Sequence, residues 1–322
     1  MTAVLGSLTL LGGCGNPQTV EDPYTTTTAD QNTGIPPSTT SIEPTTGTSI
    51  EPTTGETANA PGDDRPEEPE EEFHTLVDAG GNVRRYLLTD LSSGENPPLL
   101  VVLHGFGGSS QQMREYLETE ETIDLLAEHA PIVAYPDGIG YGGLPQAWNA
   151  GKCCPMASID LVDDVGFISR MIDEIAEKQK IDTERIWVAG WSNGGMMAYR
   201  LACELSEKIS AVIVGAGALI LESCVPSRPV NILHIHGEMD TAVPYNGGTN
   251  RGILFPSTRA SVDTIAKAND CDAGSSETAG TTTVLVMACP EGTRIQLVTD
   301  SAWVHVWERE WTELLVAFLR KP

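Results

Sequence analysis

Five short runs along this chain are apolar at most positions: residues 98–103, 132–135, 185–190, 209–215 and 230–235. A strand with one wet face alternates polar and apolar. An almost unbroken apolar run signals a strand covered on both faces. Helical periodicity fills the spaces between. It predicts helices over residues 110–129, from Asp163-Asp164 to about residue 178, directly after Ser192, over 257–268, and over 308–319. The last carries an apolar stripe at Trp311, Leu314, Leu315 and Phe318. The two aspartates read as capping residues at a helix start. Ahead of the runs, residues 73–77 and 83–88 form two strands around the turn Asp78-Ala79-Gly80-Gly81-Asn82. Residues 281–287 and 294–298 supply two more. Buried strands alternating with helices imply the α/β class: a mostly parallel, doubly wound sheet with helices on both faces.

Before residue 73 this patterning is absent. Residues 1–11 are apolar and uncharged and run into Leu11-Gly12-Gly13-Cys14. This resembles a bacterial lipoprotein signal, in which the cysteine is lipidated and becomes the mature N-terminus. The stretch is too short to span a bilayer. The positively charged start of a secretory signal is missing, which is consistent with a start upstream of Met1. From 15 to about 72, Thr, Pro, Glu and Gly dominate. An eight-residue unit beginning at Ser41 repeats almost unchanged from Ser49, and a like-charge block follows at 63–72. Such a segment buries too little apolar surface to offset its ordering entropy, so it should be disordered. The expected organisation is a signal over 1–14, a tether over 15–72 and one catalytic domain over 73–322. A flexible tether of that length reaches roughly 40–45 Å root-mean-square.

Composition narrows the partners. Of 322 residues, 40% are hydrophobic, and the formal net charge is −26. That charge argues against a nucleic acid partner, whose phosphates would be repelled. Beyond Cys14 there remain Cys153, Cys154, Cys203, Cys224, Cys271 and Cys289. An even set suits three disulfides in an oxidising compartment. No metal-binding spacing is visible: there is no H-E-x-x-H and no paired C-x-x-C. No cofactor is implied, and chelators should leave activity unchanged.

The chemistry centres on Gly190, Ser192 and Gly194. An apolar strand arrives, G-x-S-x-G turns the corner, and a helix leaves. This is the context that exposes a nucleophilic serine at the head of a sheet. A serine hydroxyl needs a base, and the base needs an orienting acid. Chain order in this architecture is Ser, then Asp or Glu, then His. Asp240 lies five residues beyond the strand ending at Ile235. Glu238 sits too close to the strand and Asp263 falls in a helix. After Asp240 the only histidine is His305. His74, His129, His234 and His236 take structural readings. The loop His104-Gly105-Phe106-Gly107-Gly108 follows a buried strand, so the Phe106 N–H is one candidate oxyanion donor and the Asn193 N–H the second. His104 orients that loop. Residues 139–159 form a long Gly-rich loop carrying Trp148, Cys153 and Cys154. Trp148, Trp191 and Trp303 are candidates either for aromatic substrate walls or for core packing.

Taken together, these motifs resemble the polyhydroxybutyrate depolymerase-like and feruloyl esterase-like esterases of the α/β-hydrolase superfamily. The resemblance rests on His104-Gly105, Tyr135-Pro136-Asp137-Gly138, Cys153-Cys154, Asp163-Asp164-Val165-Gly166-Phe167 and the block from Gly190 to Met196. It rests also on His236-Gly237-Glu238-Met239-Asp240, Val243-Pro244-Tyr245 and His305-Val306-Trp307. It implies the triad Ser192, Asp240 and His305. Members often have Gly-Gly before the histidine, where this chain has Trp303-Val304, which implies a bulkier wall beside the base. Phe106 replaces a cysteine found in some members. Proximity in the expected fold pairs Cys203 with Cys224 and Cys271 with Cys289. Cys153 and Cys154 then bridge to each other or stay as thiols.

The expected function is an extracytoplasmic serine esterase acting through an acyl-enzyme. It would act on feruloyl or acetyl polysaccharide esters or short polyhydroxyalkanoate esters, and a lipid at Cys14 would hold it to a membrane. The alternative is a surface-anchored binding lipoprotein on an inactive hydrolase scaffold. A working triad requires a rate that rises with pH as the histidine base sheds its proton.

Overall fold

The computed structural model describes residues 73–140, 144–154 and 157–320. The expected signal, the expected lipidation at Cys14 and the expected tether fall outside the described residues. The five apolar runs become β3 (Leu99–Leu103), β4 (Ile132–Pro136), β5 (Ile186–Trp191), β6 (Ala211–Gly215) and β7 (Asn231–Gly237). They sit inside a ten-stranded sheet. Its N-terminal edge is β1 (His74–Val77) and β2 (Val83–Asp90). Its far edge is β12 (Arg294–Asp300), β11 (Thr282–Ala288) and β10 (Ser275–Ala279). Across the sheet the order is β1-β2-β4-β3-β5-β6-β7-β12-β11-β10. The run from β4 to β12 is parallel, and both edges are antiparallel.

Alternate residues of each central strand feed two separate cores. Leu99, Val101 and Leu103 face one layer, built on α3 (Asp164–Gln179), α4 (Asn193–Glu204) and α5 (Thr258–Ala268). Leu100 and Val102 face the other, built on α1 (Ser110–Leu117), α2 (Glu120–Leu126) and α6 (Arg309–Leu319). All five residues of β3 are buried. This two-sided burial is why β3 to β6 carry no polar alternation, while β7 departs from the pattern with the buried pair His234 and His236. The stripe on α6 buries Trp311, Leu315 and Phe318 as expected, while Leu314 is only partly buried.

Between β4, β3 and β5 the chain reverses its direction of travel across the sheet. Ligand sites in open α/β sheets gather at the strand carboxyl ends beside such a reversal. The loops after β3 and β5 therefore meet at one place.

Three features depart from expectation. The single helix over 110–129 is two helices, because Thr119 starts a new one: its hydroxyl accepts from the Thr122 N–H. The strand β10 had no apolar signature, since every residue in it is exposed. A small hairpin, β8 (Gly248–Asn250) with β9 (Ile253–Phe255), was too short to register as a pattern.

Candidate active site

Ser192 stands between β5 and α4 with φ 55° and ψ −118°. A side-chain-bearing residue seldom adopts this backbone, and strain of this kind costs about 1–3 kcal/mol. The surrounding glycines make it feasible. A Cβ at Gly190 would run into the backbone of Gly194, and one at Gly194 into the carbonyls of Leu103 and His104. The first turn of α4 thus lies directly on the β3 loop. The corner is fastened by Ser192 N–H donating to Gly215 O at 2.8 Å.

The other two residues arrive from loops at the same sheet end. Asp240 follows β7 and His305 follows β12, its parallel neighbour. His305 Nε2 lies 2.9 Å from Ser192 Oγ, and His305 Nδ1 lies 2.6 Å from Asp240 Oδ2. Asp240 Oδ1 accepts from the Ala242 and Val243 N–H groups, each at 2.8 Å. Burial of Asp240 works to raise its pKa. The contacts with His236 and His305 outweigh it and hold the carboxyl well below its ordinary range. Asp240 is therefore an acceptor, which places the Nδ1 hydrogen on His305 and leaves Nε2 to receive the serine O–H.

Gly237 sets the spacing between those two loops. Met239 N–H donates to Trp303 O at 3.1 Å, and a Cβ on Gly237 would collide with the same carbonyl. Gly237→Ala is expected to cost roughly 1–3 kcal/mol of stability by overpacking and to depress ester turnover by shifting the His305 loop. Paired denaturant melts and rate measurements check this; an unchanged midpoint with unchanged rate contradicts it.

The loop after β3 is held by His104. Its Nε2 accepts from the Gly138 N–H at 2.9 Å, so its Nδ1 hydrogen donates to Gly105 O at 2.7 Å. Two motifs distant in sequence are thereby tied together. Gly107 N–H is taken up by Gln146 O at 2.8 Å. Asn193 opens α4, and first-turn amides have no acceptor within a helix. The candidate donors Phe106 and Asn193 therefore lie just beyond the ends of two adjacent strands, β3 and β5.

Asn193 has a second task that its sequence position did not signal. Its side chain is buried and grips Trp148 twice: Oδ1 accepts from Trp148 N–H at 2.8 Å and Nδ2 donates to Trp148 O at 3.1 Å. Trp148 is 0% exposed, and its indole N–H donates to His104 O at 2.9 Å. It is core, and the substrate-wall reading does not hold for it. Trp191 and Trp303 are partly buried, and the Trp191 ring lies 5.1 Å from the His305 ring.

The aspartate doublet also divides. Asp163 caps α3 as expected, accepting from Gly166 N–H at 2.8 Å. Asp164 does not cap. It is fully buried and accepts from Arg84 and from Asn149 N–H, each at 2.7 Å. It anchors the Trp148 loop from beneath. Nearby, Cys153 and Cys154 are bridged to each other; Cys203 is bridged to Cys224, and Cys271 to Cys289.

Burial pushes the pKa of His104 down, and that of His234 well down. In the unfolded chain each imidazole titrates near its ordinary value of 6.5. Below that pH the unfolded state takes up protons that the fold refuses, so stability falls as pH falls. The depressed carboxyl of Asp240 adds a second loss, beginning below its ordinary value of 3.8. The thermal midpoint should decline from about pH 6.5 downward; a midpoint that climbs between about pH 6.5 and 5 contradicts this assignment.

Comparison with known proteins adds ancestry. The family profile described as phospholipase/carboxylesterase matches residues 90–255, which include Ser192 and Asp240. Feruloyl esterase B of Piromyces equi is 33% identical over 219 residues, covering 65% of this chain and 39% of that protein. The bifunctional acetylxylan esterase/xylanase of Neocallimastix patriciarum is 29% identical over 168 residues, covering 52% of this chain and 22% of that protein. The chain thus spans less than half the length of either relative. Among solved structures, the acetyl xylan esterase from Aspergillus awamori superposes with a TM-score of 0.55 at 15% identity, covering 77% of this chain and 99% of that one. That is a likeness of fold. With more than half of the chain inside the family match and the sheet order described above, the chain belongs to the phospholipase/carboxylesterase family, on an α/β-hydrolase fold.

Proposed function

We propose that this chain is a serine esterase that works outside the cytoplasm and cleaves carboxylic esters through Ser192, His305 and Asp240. The observation that carries the reading is the continuous line of contacts from Ser192 Oγ through the His305 ring to Asp240. In the first step His305 Nε2 takes the serine proton as Oγ bonds to the ester carbonyl carbon. The negative charge on the carbonyl oxygen meets the N–H groups of Asn193 and Phe106. His305 then returns the proton to the leaving alcohol as the acyl–oxygen bond breaks. Water, deprotonated by the same nitrogen, releases the acid and restores the serine.

The relatives' names support the polysaccharide esters, and the apolar residues beside the base in the chain support an uncharged acyl or aryl group. Feruloyl or acetyl esters of polysaccharide, or short polyhydroxyalkanoate esters, are the proposed substrates. Met239, Val304 and Val306 are exposed large apolar residues next to Asp240 and His305 in the chain, and suit an uncharged acyl or aryl group. The three disulfides among the described residues support an oxidising compartment. Anchoring through Cys14 belongs to the same proposal, and Cys14→Ser should release the protein from membranes.

Purified protein should hydrolyse p-nitrophenyl acetate and butyrate. A panel of methyl ferulate, acetylated xylan and hydroxybutyrate oligomers at equal concentration then ranks the substrates. Turnover of p-nitrophenyl acetate with none of the three cleaved would sink the substrate class and leave the chemistry standing.

A further inference from the structure

A line of buried polar side chains runs from the core to the back of Asp240, and the triad does not account for it. Tyr199 on α4 places its hydroxyl 2.7 Å from His234 Nδ1. His234 Nε2 lies 3.1 Å from His236 Nδ1. His236 Nε2 lies 2.9 Å from Val243 O and 3.3 Å from Asp240 Oδ2. Tyr199, His234 and His236 are each 0% exposed, so no solvent competes for these groups.

The hydrogens in this line can be placed one by one. Because His236 Nε2 faces only acceptor oxygens, the donors must run toward it: the Tyr199 O–H donates, His234 Nδ1 accepts, and the hydrogen of the neutral His234 ring sits on Nε2. It points at His236 Nδ1, which therefore accepts. The hydrogen of His236 is left on Nε2, where two oxygens face it. Val243 O is the shorter branch and Asp240 Oδ2 the longer. Every donor in the line is directed toward the carboxylate.

We propose that His236 is a positioning residue for the triad, held in one tautomer by His234 and Tyr199 so that its Nε2–H pins Asp240 for His305. The inference rests on the assignment of Ser192, His305 and Asp240 above. Oδ1 is gripped by the Ala242 and Val243 amides, and Oδ2 by His305 from one side and His236 from the other. With donors on both oxygens the carboxylate cannot rotate away from the imidazole. His236 also holds Val243 O, so the same nitrogen fixes the loop whose amides grip Oδ1. Buried networks of this kind gain from being complete and lose disproportionately when one donor is removed.

The test compares two substitutions with the parent on p-nitrophenyl butyrate. His236→Phe keeps a flat ring and removes the donor. His236→Gln can return an N–H to the position of Nε2. The phenylalanine variant should lose roughly 10–50-fold in kcat with KM within about threefold. The glutamine variant should recover most of that loss. Proton NMR supplies a readout independent of turnover: the downfield resonance of the hydrogen shared by His305 and Asp240 should shift in His236→Phe and return toward its parental position in His236→Gln. Should His236→Phe fail to fold, Tyr199→Phe, which frees only the far end of the line, should move the same resonance. Parental kcat in His236→Phe, equal loss in both His236 variants at matched stability, or an unmoved resonance overturns the inference. Ser192→Ala serves as the control. If it is inactive while His236→Phe is unimpaired, only this inference falls. An active Ser192→Ala enzyme overturns both.

Discussion

Ser192→Ala is expected to lower kcat by roughly 10⁵–10⁶-fold, with KM changed by less than about threefold. The substitution deletes one oxygen from a residue whose backbone is already fixed by Gly190, Gly194 and the bond to Gly215 O. Methyl for hydroxymethyl leaves that corner intact, so the protein should melt as the parent does. The proposed donors at Asn193 and Phe106 survive, and the residual rate above water is expected to come from them. A loss confined to kcat separates removal of the nucleophile from loss of the fold. Circular dichroism together with steady-state kinetics checks both halves of the expectation.

Asp240→Asn is expected to lower kcat by about 10⁴-fold. The reason lies in which oxygen can be replaced. Oδ1 accepts from two backbone amides, so the asparagine must keep its carbonyl there. Its amino group is then forced into the Oδ2 position, facing His305 Nδ1 and the His236 Nε2 hydrogen. Donor would meet donor. His305 can relieve this only by moving its hydrogen from Nδ1 to Nε2, which points it at Ser192 Oγ. A base already bearing a hydrogen on that nitrogen cannot take another from the serine. The loss should fall on kcat and ease at high pH, where hydroxide can take over from the missing base. An asparagine variant within about tenfold of the parent contradicts the assignment of Asp240 as the orienting acid.

How far the chain could be read depended on whether burial left a mark in it. The strands from β3 to β7 were legible because both faces are covered and polar residues are largely excluded. β10 left no mark, since it is polar and exposed throughout. The break at Thr119 was hidden because capping by a threonine hydroxyl occupies a polar position that an exposed helix face also tolerates. Ser192, Asp240 and His305 stand out as candidates for a different reason: chain order admits few acids and leaves one histidine. Asp164 departs from the capping expected of it because two adjacent aspartates look alike in sequence, although one caps in solvent and the other lies buried on Arg84. Trp148 illustrates the same limit. An indole in a Gly-rich loop serves a wall or a core equally well until its N–H is seen on His104 O. His236 sits next to Gly237 in a recognisable motif, but its role depends on a tautomer set by Tyr199, 37 positions earlier in the chain.

A fluorophosphonate is added in slight excess to the folded protein, and intact mass, peptide mapping and esterase rate are followed together. A single adduct is expected, located on the peptide containing Ser192, with turnover falling in step with its formation. Full ester turnover with Ser192 unlabelled, or an adduct on another residue that tracks the loss of activity, would contradict this expectation.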